Sequence, residues 1–596
     1  MISWLSDRWN SFFHDRTGVQ GCRVAGYMRI GVALCFLIDR IIMLFFLDFY
    51  FSPTNGVMPF RVSRHHWELV DWNQKSLFML FPESEEFLWI FSVIGIVQGI
   101  IVLLGATTNL RFHVFGLFLN IMSFRNHNVL YWDAEDDMFR MWVFLLLFFP
   151  LDHCTIYDGF GLRPIPSLSS TSWTMWIFRI FQIEMMLIYM GASLGKVVVK
   201  EWQDGSAIFR LSYGIQDFPG IFNPDFLFRR YGPLKLLTWS SMLVEGFCYI
   251  TVWIPALRNL SVGLMIFFHV GIDLAMNMHM FEWLSCIGWC VFFIQPAPTS
   301  TDEAEPVKTK RSGYKKDVGS KSSAVWLFQK AVINVFVASI ILAISMDCIP
   351  FDAIGDLVPS PLESTWDKLV AERNYYFNGY IDRIITPLGL AQGGDWGMYN
   401  NVNQVLIDLR LDAQLKNGTI VKNVWRSPDW FKMTDWERKL HCRDANFYDD
   451  LSDFKNELLY FVEVISKPFV EKNDVKGLTV VKETRTHYKL EMESSDAFWS
   501  PVLKPPMDAY FEETALIVRA GGCANALSTD TCAKLIKEHG CKSLTEQCSK
   551  SCSKYCSRYS SFAVDYWLDP NSFEDEYDED EDKRKDDGYT SATQEL

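Results

Sequence analysis

Two short stretches concentrate groups able to do acid–base chemistry. The first, "SFRNHNVLYWDAEDDMFRMWVFLLLFFPLD" (123–152), sets Arg125, Asn126 and His127 ahead of Asp133, Glu135, Asp136 and Asp137, and Arg140 then heads an almost purely apolar run. The second, "GKVVVKEWQDG" (195–205), carries Lys196 and Lys200, with Trp202 and Asp204 behind them. Lysines four apart share a helix face, and two close ammonium groups favour loss of one proton. The product is a neutral amine that can act as a general base. The plainer reading is a pair of interfacial lysines answering lipid phosphates.

Further ionisable residues stand in or beside apolar segments: Arg29, Asp39, Arg40, Arg179, Glu184, Glu245, His269 and Asp273. A charge at the centre of a membrane helix costs roughly 2.5–3.5 kcal/mol on insertion scales, so such groups pair with one another or line a polar cavity. Taken singly, each is expected to be a structural partner. Taken as a set with Arg125, Asp136, Asp137 and Arg140, they predict a polar cavity in which Arg140 pairs Asp136 or Asp137. The competing expectation is an interfacial cap, with the acids stabilised by a helix N-terminus. His269 and Asp273 share a face, so an Asp that orients a His is expected there. Two ligands fall short of the three or four a metal usually needs, so no metal is expected.

The elements that must position these groups are membrane helices. Spanning a bilayer takes about 20 mostly apolar residues. Candidate spans cover approximately 26–47, 87–105, 110–124, 138–151, 173–194, 235–256, 260–280, 283–296 and 325–347. The run "FLWIFSVIGIVQGIIVLLG" has no charge, unlike the polar-faced helices of soluble proteins. The predicted fold class is therefore mainly α: a polytopic bundle of about eight or nine spans over 24–348, after an N-terminal cytosolic segment, 1–23. That segment is charged throughout and lacks the apolar core of a cleavable signal, so insertion is expected to rest on the first span.

The loop 301–323 holds Lys308, Lys310, Arg311, Lys315, Lys316 and Lys321. The positive-inside rule makes it cytosolic and sends everything past the next span to the other side. The remaining chain is polar: a mixed, β-containing lumenal domain (349–520), a cysteine cluster (523–556) and an acidic disordered tail (570–596). Within the domain, "NQVLIDLRL" (403–411) and "FVEVIS" (461–466) read as strand-like, and "LKNGT" (415–419) reads as a hairpin turn. Asn417 opens a glycosylation sequon. Cys523, Cys532, Cys541, Cys548, Cys552 and Cys556 contain no CxxC pair, which favours disulfides in an oxidising compartment over zinc. The net charge of −15 comes partly from the acidic tail, and nothing indicates a nucleic-acid partner.

The stretch 123–159, together with "YMGASLGKVVVKEWQDGSAIFRL" (189–211), "FFHVGIDLAMNMHMFEWLSCIGWCVFF" (267–293) and "LAQGGDWGMYNNVN" (390–403), resembles the membrane region of the HTTM superfamily. That superfamily includes the vitamin K-dependent γ-glutamyl carboxylases. The cysteine spacing resembles the ShKT module, with a last gap one residue longer than usual. The carboxylase resemblance implies a membrane-embedded lysine that deprotonates reduced vitamin K, or another lipid quinol, for proton removal from a lumenal protein or peptide. It assigns that role to Lys196 and a supporting one to His127, which matches a carboxylase Asn-His pair. The carboxylase pattern carries adjacent lysines one step closer to the tryptophan, and lacks both the cysteine module and the acidic tail. Two other readings stand beside the enzyme. One is a membrane scaffold or complex subunit with a lumenal binding domain. The other is a transporter, which the lack of matching broken helices in two halves disfavours.

Overall fold

The computed structural model describes residues 2–63, 75–151, 173–209, 230–296, 323–348, 358–390, 405–428, 455–486, 509–519 and 563–567, short gaps aside, with isolated positions such as 498–499. Asp133, residues 301–322 of the basic loop, all six cysteines of 523–556 and the acidic tail lie outside the described residues.

The helices in order are α1 (Ile2–His14), α2 (Val19–Phe51), α3 (Glu85–Leu104), α4 (Leu110–His127), α5 (Ala134–Leu146), α6 (Trp176–Val198), α7 (Lys200–Asp204), α8 (Tyr231–Thr251), α9 (Arg258–Ala275), α10 (Phe281–Trp289), α11 (Ser323–Cys348), α12 (Ser360–Tyr380) and α13 (Lys455–Val470). Each of the nine candidate spans falls on one of these helices. Among the described residues, four are long and apolar enough to cross a membrane: Gly21–Phe51, Glu85–Leu104, Trp176–Val198 and Arg258–Ala275. That count is half of the eight or nine expected. Two of the candidates fall short on length: α5 has 13 residues with three acids in its first turn, and α10 has nine. At 1.5 Å per residue neither reaches across a hydrocarbon core of about 30 Å.

α3 shows what the outer surface is made for. Ser84 caps it by accepting from the Phe87 amide at 3.1 Å, and Gly105 ends it in the left-handed conformation with φ 65°. Between the caps, Ile90, Val93, Ile94, Val97 and Ile100 are exposed, an apolar strip suited to lipid. Its other side approaches its neighbours closely at small residues: a Cβ on Gly95 would meet the Asn120 amide at 2.5 Å, and one on Gly99 would meet Leu37 at 2.8 Å. The continuous core behind this surface includes Phe36, Phe139, Trp142, Phe181, Met185 and Trp289.

The chain divides into two compact units, one of Met1–Gln404, Trp430–Asp444 and His487–Met507, the other of Val405–Asp429, Ala445–Thr486 and Asp508–Leu596. The second is built on an antiparallel five-stranded sheet in the order β2-β1-β3-β4-β5. Its strands are β1 (Val405–Leu415), β2 (Ile420–Arg426), β3 (Val475–Thr486), β4 (Ala509–Arg519) and β5 (Ala563–Trp567). β1 and β2 form the expected hairpin about "LKNGT", with Gly418 at φ 87° in the turn. Asn417 is exposed there, its Oδ1 accepting from the Thr419 amide at 2.9 Å.

"FVEVIS" (461–466) is a correction: it lies inside α13. Burial runs unbroken from Leu458 to Val462 and returns at Ser466, a pattern that lacks the strict alternation of a half-buried strand and that a six-residue window hides.

Charges are buried in the sheet as well. Asp408, Arg410 and Asp412 alternate along β1 and share a face with Glu483 of β3. Arg410 pairs with Asp412 at 3.2 Å and with Glu483, and Arg426 of β2 reaches Glu483 at 2.6 Å.

Candidate active site

Lys196 sits in the last turn of α6 with its side chain 3% exposed. α6 stops at Val198, and Val199 turns to extended backbone (φ −88°, ψ 128°) before α7 begins. Three consecutive valines, 197–199, precede the break, and β-branched side chains are stiff against a preceding helical turn. Lys196 and Lys200 therefore do not share a helix face: Lys200 is exposed, and the expected ammonium pair does not form. The partner of Lys196 is Glu245 of α8, at 2.6 Å. The indole of buried Trp202, from α7, lies 4.9 Å from the ammonium, within cation–π range. Asp204 serves the turn after α7, accepting from the Ser206 amide at 2.8 Å.

Seven residues before Lys196 on α6 is Tyr189, on the same helix face. Its hydroxyl is hydrogen-bonded to His269 Nε2 on α9, and His269 Nδ1 is hydrogen-bonded to Glu282 on α10. All three residues are buried. Glu282 thus orients His269, where Asp273 had been expected to. Asp273 is buried one turn further along α9 and lies within electrostatic range of Glu282. Glu245 also acts electrostatically on both Tyr189 and Glu282. Four helices, α6, α8, α9 and α10, thus bring one ammonium, one imidazole, one phenol and three carboxylates together. A hydrogen-bonded phenol–imidazole–carboxylate string can pass a proton from one end to the other.

The stretch 123–152 makes a different arrangement. Glu135, Asp136 and Asp137 occupy the first turn of α5, at the helix N-terminus as the cap reading expects, but at 0%, 3% and 0% exposed they form a buried cluster and not an interfacial one. Arg140 pairs with Asp137, one of its two expected partners, and Arg125 approaches the same carboxylate at 3.7 Å. His127 is walled by aromatic rings, with centroids of Phe60, Phe78 and Phe51 at 4.8, 5.4 and 5.9 Å. Lys196 and His127 therefore have differently built surroundings, one ionic and one aromatic. Glu184 is fully buried on α6.

Tyr189 and Glu282 complete the site without having been singled out from the sequence. Glu282 carried a readable signal, as the acid at the head of "FEWLSCIGWCVFF". Tyr189 carried none, since a tyrosine in an apolar helix is ordinary. Comparisons with protein-family models, with curated proteins and with solved structures find no match to this chain.

Proposed function

We propose that this is a multi-pass membrane enzyme of HTTM type that abstracts a proton from a lumenal protein or peptide by way of a lipid quinol. The observation that carries the reading is the buried Lys196–Glu245 pair, whose Glu245 acts electrostatically on the Tyr189–His269–Glu282 chain. In this reading Lys196 hands its proton to Glu245 and then accepts one from the bound quinol. The Tyr189–His269–Glu282 chain takes the displaced proton away from the site. Trp202 holds the ammonium in place through its ring face. A bound quinol, vitamin K hydroquinone or a relative, would supply the oxidisable ring whose reaction with oxygen provides the strong base. The donor set suits such a ring: an amine next to a proton acceptor, with an indole face beside them.

In the same reading the chain resides in the endoplasmic reticulum or elsewhere on the secretory route, and the shorter helices complete a bundle of eight or nine spans. The C-terminal half is lumenal, with a glycan on Asn417 and a three-disulfide ShKT-like module formed by Cys523, Cys532, Cys541, Cys548, Cys552 and Cys556. Support for this comes from the sequence pattern and from the exposure of Asn417 in its turn.

A second reading, a non-catalytic scaffold or complex subunit, is favoured by one observation: Lys196, Arg140 and His269 each already face a carboxylate. The deciding experiment is quinol-dependent incorporation of labelled carbon dioxide into a glutamate-rich peptide, using full-length protein in lipid nanodiscs. The enzyme reading expects turnover in the wild type and its loss in both Lys196→Ala and Lys196→Arg, because a guanidinium does not give up its proton. Turnover restored by Lys196→Arg, or none in the wild type, rejects it in favour of the scaffold.

A further inference from the structure

A separate cluster lies where α2, the start of α5 and the residues just before α10 meet. His279 Nδ1 stands 2.8 and 2.9 Å from the two carboxylate oxygens of Glu135, and 3.7 Å from an oxygen of Asp39. The three side chains are 4%, 0% and 4% exposed. The donor atoms all lie within 4.8 Å of one another. One turn before Asp39 on α2, the buried thiol of Cys35 is within electrostatic range of both acids.

The crowding at Nδ1 is what calls for explanation. An imidazole nitrogen carries at most one hydrogen, and that hydrogen serves one acceptor well, yet three carboxylate oxygens converge on it. Glu135 is also fixed from behind, where the Met280 amide donates to its Oε2 at 2.7 Å. A tetrahedral cation bonded to nitrogen and oxygen at about 2.0–2.2 Å holds its donor atoms about 3.3–3.6 Å apart, close to the 3.7 Å between His279 Nδ1 and Asp39. Two carboxylates balance a dication, and Arg40, 3.2 Å from the other oxygen of Asp39, offsets part of that negative charge.

We propose that Asp39, Glu135 and His279 bind a first-row divalent cation of the zinc class. One imidazole and two carboxylates form a three-ligand set that leaves a position open, as in catalytic zinc sites. The site does not rest on the enzyme reading above, since it shares no residue with the Lys196 cluster. The competing account is a protonated His279 bridging two carboxylates without any metal.

The test uses the full-length chain, purified unreduced in detergent without a histidine tag and titrated with Zn²⁺ and, separately, with Co²⁺. The expected result is about one Zn²⁺ per chain and visible Co²⁺ bands of a four- or five-coordinate site. Glu135→Gln keeps an acceptor for the Met280 amide, and His279→Gln removes the imidazole. Each is expected to weaken Zn²⁺ binding by more than about tenfold, the least that even an outer-shell group usually contributes. If either variant fails to fold, X-ray absorption on the wild-type Zn²⁺ form decides, with one imidazole and two or more oxygen ligands expected. Failure of the wild type to bind either ion, or binding unchanged in both variants, would overturn the proposal.

Discussion

Buried charges hold together both units of this protein, but they are assembled in opposite ways. In the sheet, Asp408, Arg410 and Asp412 are neighbours on one face of β1, and Glu483 lies on the adjacent strand. In the helical bundle, Lys196 meets Glu245 across 49 residues, and Glu135 meets His279 across 144. The sheet network is joined through strand register, and its arginine forks make several bonds at once. The bundle sites are built from single groups, each delivered by a different segment of the chain. The first design suits a structural clamp. The second suits chemistry, because each group can change its proton without dismantling the rest.

The contrast can be broken by mutation. The largest effect is expected at Glu245: Glu245→Ala leaves the Lys196 ammonium buried and unpaired, a loss of about 3–5 kcal/mol. Lys196→Met with Glu245→Leu should recover most of that stability, since an apolar pair of similar volume often replaces a buried ion pair at little cost. Thermal unfolding of the three proteins in one detergent checks both statements. If the single variant melts with the wild type, the pair carries no such burial cost.

In the sheet a smaller effect is expected. Glu483→Gln keeps an acceptor, and Arg410 retains Asp412, so the loss should be about 1.5–3 kcal/mol, the range for hydrogen bonds to charged groups. Denaturant unfolding followed at the β-sheet signal measures it. A loss as large as that of Glu245→Ala would erase the distinction between clamp and site.

The smallest effect on stability belongs to the turn. Asn417→Gln touches an exposed side chain and should stay within about 0.5 kcal/mol. It should nevertheless abolish a glycosidase-sensitive shift in gel mobility if the sheet unit is lumenal. Unchanged mobility would remove that support for the orientation.

What the sequence revealed follows the same division. Nine helical positions and the β1–β2 hairpin were legible because apolar runs and a Lys-Asn-Gly turn are local signals. The Arg140–Asp137 pair was legible for the same reason, being three residues apart on one helix. The Lys196–Lys200 pairing failed because a helix end at Val198 overrides a spacing argument that assumes an unbroken helix. Glu282 and Tyr189 around His269, and the meeting of Asp39 with Glu135 and His279, depend on which helices become neighbours. No periodicity within one helix encodes that choice. The reading of 461–466 as a strand failed through window length rather than chemistry.

The central claim is that the Lys196–Glu245 pair works as an acid–base device and does more than hold helices together. A charge exchange, Lys196→Glu with Glu245→Lys, tests it most directly by quinol-dependent turnover measured beside the melting temperature. The exchange keeps an ion pair between α6 and α8 but moves the amine to the opposite helix, away from its place beside Trp202. The account predicts a melting temperature closer to the wild type than that of either single variant, with turnover lost. Turnover retained by the exchanged pair would contradict it and leave the pair a structural link.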